Sequence, residues 1–243
     1  LCLIPSRTEI TMSELPIEEG GFLIINKPLT WTSFDVVKRL RNISRIKKIG
    51  HAGTLDPLAT GVLIVCYGKY TKKIEGIQTQ KKGYKGTFEL GKTTPSFDLE
   101  TEVDGTLSTE HITPDFLEEK VAGFRGDIKQ VPPQHSAVKV NGVRAYEHAR
   151  KGEVVQLKIR DAHIYTYDID ASSFPTVAFT IECSKGTYIR SLARDLGVAL
   201  ESGAHMSSLV RTFIGDYKVE DAVDMEDIKE TEDFFKYAQQ FSQ

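Results

Sequence analysis

Apolar residues recur along this chain with two periods, and the changes of period mark its elements. Residues 21–26 (Gly-Phe-Leu-Ile-Ile-Asn) form a continuous apolar run that stops at Lys27-Pro28, which predicts a buried strand. Thr32 or Ser33 is placed to cap a helix with apolar residues at Phe34, Val37, Leu40 and Ile43. The other side of that helix, continued beyond it, carries Lys38, Arg39, Arg41, Arg45, Lys47 and Lys48. Residues 62–66 are a second apolar run, and 70–78 read as a short helix. Residues 82–90 alternate, with Tyr84, Gly86, Phe88 and Leu90 on one face of a strand. A polar loop over 91–105 is long enough for a binding role, and Thr113-Pro114-Asp115 opens a helix to about Val121. Asn141-Gly142 between alternating runs signals a hairpin, followed by a basic, exposed helical segment over 147–151. Strands are predicted over 154–167 and 176–183. Thr187 is placed to cap a helix with the stripe Ile189, Leu192, Ala193, Leu196 and Leu200, and Arg190 and Arg194 share a face away from most of it. A last strand spans 204–217, and the acidic end forms one or two weak helices. This interleaving predicts an α+β fold with a mixed, largely antiparallel sheet.

At 243 residues the chain suffices for one large domain or two small ones. Its net charge of −3 argues against a nucleic-acid binder until the distribution is considered. Between Gly21 and Gly215 there are 27 Lys and Arg against 21 Asp and Glu, so the acidic excess lies at the two ends. That suits a basic, RNA-binding body with solvated tails. Cys2, Cys66 and Cys183 are odd in number and have no paired metal-ligand spacing, which points to a reduced, cytoplasmic protein without structural disulfide or zinc. No apolar run reaches membrane-spanning length, and the N-terminal one is too short for a signal peptide.

The chemistry centres on Gly50-His51-Ala52-Gly53-Thr54-Leu55-Asp56-Pro57-Leu58-Ala59-Thr60-Gly61. Pro57 disfavours helix at Asp56 and puts its carboxylate on an extended loop directly before a buried strand. Such a loop either presents one reactive acid or forms a turn in which Asp56 accepts backbone hydrogen bonds.

This segment resembles the signature of the TruB class of tRNA pseudouridine synthases. The likeness extends upstream through residues 26–35 and downstream through Lys82-Gly83-Tyr84, residues 136–142 and Gly186-Thr187-Tyr188-Ile189-Arg190, in the family's order. The resemblance implies the pseudouridine synthase fold, a curved sheet with flanking helices and a central active-site cleft. It implies a catalytic domain over 21–215, after an N-terminal extension (1–20) without stable structure. A short acidic tail (216–243) follows, too short for the family's C-terminal RNA-binding PUA domain. The implied reaction isomerises uridine to pseudouridine in the T-loop, position 55, of tRNA. It requires neither cofactor nor metal. Asp56 is the implied carboxylate, acting as nucleophile at C1′ or as base at C2′ on a flipped-out uridine. His51 resembles the residue that fills the vacated position, and Tyr84 the ring stacked on the base. Tyr188 and Arg190 resemble pocket residues, Arg190 pairing with Asp56, and Leu209 an apolar wall. Lys27 and Lys139 match basic positions of the motif blocks, read as site support or phosphate contact. Arg41, Arg45, Lys47, Lys48, Arg144, Arg150 and Lys151 are candidates for the RNA backbone, on charge and expected exposure.

The expected partner is the tRNA T-arm, bound by a monomer with no membrane, guide RNA or obligate protein partner. Three alternatives compete with this reading. A glycosidase-like hydrolase needs a second carboxylate, and none stands out in the motif blocks. A non-catalytic RNA-binding or tRNA-folding protein could dispense with Asp56, Tyr84 and Arg190, all of which are present. A guide-RNA-dependent relative would rely on partner subunits and the PUA module.

Overall fold

The computed structural model describes residues 19–140 and 142–240, so the N-terminal extension up to residue 18 and the hairpin residue Asn141 lie outside the described residues. The first half of the chain comprises β1 (Gly21–Lys27), α1 (Ser33–Ser44), β2 (Ile49–His51), β3 (Ala59–Tyr67), α2 (Ile74–Gln78) and β4 (Lys82–Leu90). A ribbon of β5 (Lys92–Thr93) and β6 (Gly105–Thr106) brackets the polar loop, and α3 (Pro114–Ala122) leads into β7 (Gly126–Gln130). The hairpin β8 (Lys139–Val140) and β9 (Val143–Arg144) follows, with α4 (Ala145–Ala149). The rest is β10 (Arg160–Ser173), β11 (Thr176–Cys183), α5 (Ile189–Ala199), β12 (Ala204–Ile214), β13 (Tyr217–Lys218), β14 (Val223–Asp224) and α6 (Thr231–Tyr237).

Ten strands form one sheet along the path β14-β1-β3-β12-β4-β11-β10-β7, with β2 beside β3 and β13 beside β12. The sheet is mixed and largely antiparallel, as the interleaving predicts; among the described strands only β1–β14 and β3–β12 are parallel. The second parallel pair joins the two halves. Strand β12 lies between β3 and β4, setting Arg211 opposite Gly61 on one side and Tyr84 on the other. Gly61 has φ +96°, and a Cβ there would stand 2.2 Å from the Arg211 carbonyl oxygen, so the junction needs glycine. One apolar cluster packs α3 and α5 on the β4–β11–β10 side of this junction, and a second packs α1 and α6 on β1 and β3.

Four expectations about local structure are corrected. In α1, Thr32 is the cap, within a capping box with Asp35, but Phe34 is 60% exposed while Val36, Val37, Leu40 and Ile43 are buried. A strict three-residue spacing drifts about 60° around a helix at each step, and Phe34 is the end that drifts out of the stripe. The strand expected from residue 154 begins at Arg160, leaving Val154 and Ile159 exposed. Arg160 pairs with Gln130, the last residue of β7, and the following Val131-Pro132-Pro133 cannot extend the ladder. Helix α5 is capped at Tyr188 rather than Thr187, whose hydroxyl donates to Ser184 O at 2.9 Å. Finally, residues 216–240 are no solvated tail. Strand β14 pairs with β1, Phe234 and Phe235 pack edge-on to the Tyr67 ring, and Gln239 exchanges two backbone hydrogen bonds with Phe22.

Candidate active site

Asp56 lies on the loop between β2 and β3, whose backbone is tied down on every side. The Lys27 ammonium, fully buried, donates to Pro28 O, Trp31 O and Pro57 O at 2.7, 2.6 and 3.1 Å. Thr30 N–H also donates to Pro57 O, and Ser33 Oγ accepts the Leu55 N–H at 2.9 Å. From the far side the buried Arg211 donates to Gly53 O, Thr54 O and Val62 O at 3.1, 3.3 and 2.8 Å. With the backbone so committed, the Asp56 side chain is presented by a rigid frame. All three of these Lys27 bonds end on backbone carbonyls. Burial lowers its pKa to about 8, offset in part by Asp56.

The Asp56 carboxylate accepts from Arg190 Nη2 at 2.9 Å. Arg190 is 3% exposed, so the face that it shares with Arg194, away from most of the apolar stripe, is covered at its position. It also donates to His135 O and Ser96 O at 2.9 and 3.2 Å, and its Nε lies 3.5 Å from the buried Asp98 carboxylate. Burial opposes its charge, but Asp56, Asp98 and Glu100 outweigh burial and hold the guanidinium above its ordinary pKa. The polar loop over 91–105 thus closes behind Arg190 and supplies Ser96 and Asp98.

Above this pair opens a cleft of about 510 Å³, walled by Leu55, Tyr84, Tyr188, Ile189 and Leu209. Tyr84 on β4 is buried, which pushes its phenol up to about 12 although Arg211 beside it pulls the other way, so it is a neutral ring carrying a proton at neutral pH. Tyr188 is clamped by Gln130, which accepts its N–H at 2.8 Å and donates to its carbonyl at 3.0 Å. His51, at the end of β2, does not line the cleft. Burial lowers its pKa, and its Nδ1 is buried without a hydrogen-bond partner among the described residues.

The basic candidates stand apart from this centre. Lys139 and Arg144 are exposed on the hairpin, and Arg45, Lys47, Lys48, Arg150 and Lys151 are exposed elsewhere. Arg41 is half-buried with Nη2 3.4 Å from Ile49 O, and Arg150 lies 3.7 Å from Glu100. None of them lines the cleft. Sequence reasoning missed Arg211, Asp98, Gln130 and Lys82 as parts of the site. Arg211 had a signal: two residues beyond Leu209 on a strand, it shares that residue's inward face. Among the described residues no group of three or more His, Cys, Asp and Glu side chains converges as a metal site would require.

The fold recurs in known structures. A chain in the crystal structure of a Cbf5-Nop10-Gar1 complex superposes with a TM-score of 0.70 at 29% identity, over 94% of this chain and 63% of that one. Another, in a structure of an H/ACA RNP bound to a substrate RNA containing 2′-deoxyuridine, gives 0.67 at 26% identity over 92% and 60%. The fold is that of a pseudouridine synthase. The model of the TruB family pseudouridylate synthase N-terminal domain matches residues 41–189, and that of the tRNA pseudouridylate synthase B C-terminal domain matches 190–240. The tRNA pseudouridine synthase B of Flavobacterium johnsoniae is 52% identical over 85% of this chain and 93% of its own length. That of Parabacteroides distasonis is 53% identical over 86% and 92%. The chain belongs to the TruB family of pseudouridylate synthases.

Proposed function

We propose that this protein isomerises uridine to pseudouridine at the T-loop position, 55, of tRNA, with Asp56 as the reacting carboxylate. One observation carries the reading: a half-exposed carboxylate held by a buried arginine on the floor of a cleft with two tyrosines and a leucine as walls. The target base must leave its stack, and that costs a few kcal/mol. Tyr84 and Leu209 offer the flipped uracil a flat ring and an apolar wall, while His51, outside the cleft, would meet the RNA that the base leaves. Breaking the N1–C1′ bond, rotating the uracil and joining C5 to C1′ balances when C5 loses a proton and N1 gains one, so the product is an isomer of the substrate. Asp56 attacks C1′ or takes the C2′ proton; either role needs the carboxylate aimed, which Arg190 and the tied loop provide.

The hydrolase alternative needs a carboxylate pair flanking the reacting bond. The buried Asp98 is turned to Arg190 and does not line the cleft, whereas the exposed Asp161 does, so release of free uracil is the outcome that separates hydrolysis from isomerisation. The curated relatives, covered over more than nine tenths of their length, are named as tRNA enzymes, which supports tRNA as the substrate. The reading is of a stand-alone cytoplasmic monomer acting on the T-arm without guide RNA or partner subunit. No described helix is long and apolar enough to cross a membrane. The test is incubation of the purified chain alone with unmodified tRNA transcript, followed by chemical mapping of pseudouridine. Conversion confined to the T-loop uridine is expected; no conversion, or release of free uracil, refutes the proposal.

A further inference from the structure

Five cations, Lys82, Arg160, Lys185, Arg190 and Arg211, line the cleft against two carboxylates, Asp56 and Asp161. They differ in depth and in commitment. Arg190 and Arg211 are buried and bound to the floor, as described above. Lys82 is 6% exposed, and its ammonium donates to Gln78 O and Gln80 O at 2.9 and 2.8 Å. Arg160 and Lys185 are exposed at the mouth, and neither side chain has a hydrogen bond or ion pair with another described residue. They come from separate elements, Arg160 from the first position of β10 and Lys185 from the turn before α5. Next to Lys185, Gly186 has φ +79° and open space where a side chain would stand, so a bulky ligand meets no obstruction there.

Resting on the isomerase reading above, we propose that Arg160 and Lys185 form a phosphate clamp for the target nucleotide, holding a phosphodiester adjoining the flipped uridine. When the uracil and ribose descend to Asp56, the flanking phosphodiesters remain at the cleft mouth, where these two cations stand uncommitted. Asp161, at the same rim, repels an anion and narrows the landing place to the side of the cations. The contact forms only once the nucleotide has entered, so it stabilises the flipped state and the transition state rather than the initial complex. This separates it from the exposed set after α1 and beyond the hairpin, which lies outside the cleft and grips the RNA before and after flipping alike.

The test combines Arg160→Gln and Lys185→Gln with T-arm RNA carrying a neutral methylphosphonate on the 5′ or the 3′ side of the target uridine, read by single-turnover conversion and by binding. With normal RNA each variant should lose roughly tenfold in the saturated single-turnover rate, the scale of one charge-assisted hydrogen bond, while affinity changes less than about threefold. On the methylphosphonate at the clamped position, wild type should lose a similar factor and the variants should lose little more, because the partner charge is already gone. Losses that multiply independently at both positions would overturn the clamp, as would variants that turn over like wild type. Absence of pseudouridine with wild-type enzyme on normal RNA would instead overturn the isomerase reading, and this inference with it.

Discussion

At the scale of single residues, the site sets buried cations around the Asp56 carboxylate. Asp56→Asn should abolish conversion while tRNA affinity stays within a few-fold, because the amide keeps its shape but neither attacks carbon nor takes a proton; turnover near the wild-type rate refutes the assignment. Arg190→Met leaves Asp98 buried opposite an apolar side chain, a loss on the order of 3–5 kcal/mol that urea unfolding would show. The lysines give a pH signature. Lys27 and Lys82 are both pushed down to about 8 in the folded protein, chiefly by burial, whereas unfolded lysine titrates near 10.5. Between these values the unfolded chain binds more protons, so this contribution to stability rises with pH from about 8 towards 10. Lys27→Met should reduce that rise, measured as the unfolding free energy against pH. Arg190 illustrates what sequence reasoning lacked. Its helical period placed it with Arg194 away from most of the apolar stripe, but period cannot report that its bonds run to Ser96, His135 and Asp56, 94, 55 and 134 residues away. The family resemblance alone directed it to Asp56.

At the scale of elements, legibility followed covering partners. Strand β11 matches its predicted 176–183 span because neighbours on both sides bury its alternate residues, so the pattern and the environment agree. The stretch 154–159 is just as apolar, but no strand lies beside it before Arg160, and periodicity cannot report a missing neighbour. The acidic end was misjudged in the other direction, since charge dominated the reading while Phe234 and Phe235 decided the packing. Phe234 is fully buried against Tyr67. Phe234→Ala should cost about 3–5 kcal/mol and loosen α6, seen as a lower melting temperature and faster amide exchange in β1.

At the scale of the molecule, the cations divide into the few that line the cleft and many on outer surfaces, and a polyanionic substrate should register the two groups differently. Lys47→Ala/Lys48→Ala, or Arg150→Ala/Lys151→Ala, should flatten the log–log salt dependence of tRNA binding by about 1–2 units and leave the saturated single-turnover rate almost unchanged. An unchanged slope in both would show those side chains to be merely solvated. The topology bears on something other than catalysis, the order of synthesis. Because β12 is inserted between β3 and β4, a nascent chain can make the Asp56 loop and the Tyr84 strand long before it makes the strand that joins them. The facing edges of β3 and β4 stay open until Ile214 has left the ribosome, and at a few to twenty residues per second that interval lasts on the order of ten seconds. During it, two apolar strand edges invite pairing with other chains. Ribosome-stalled chains ending near residue 203 should therefore recruit holdase chaperones, and release from them should coincide with the emergence of β12.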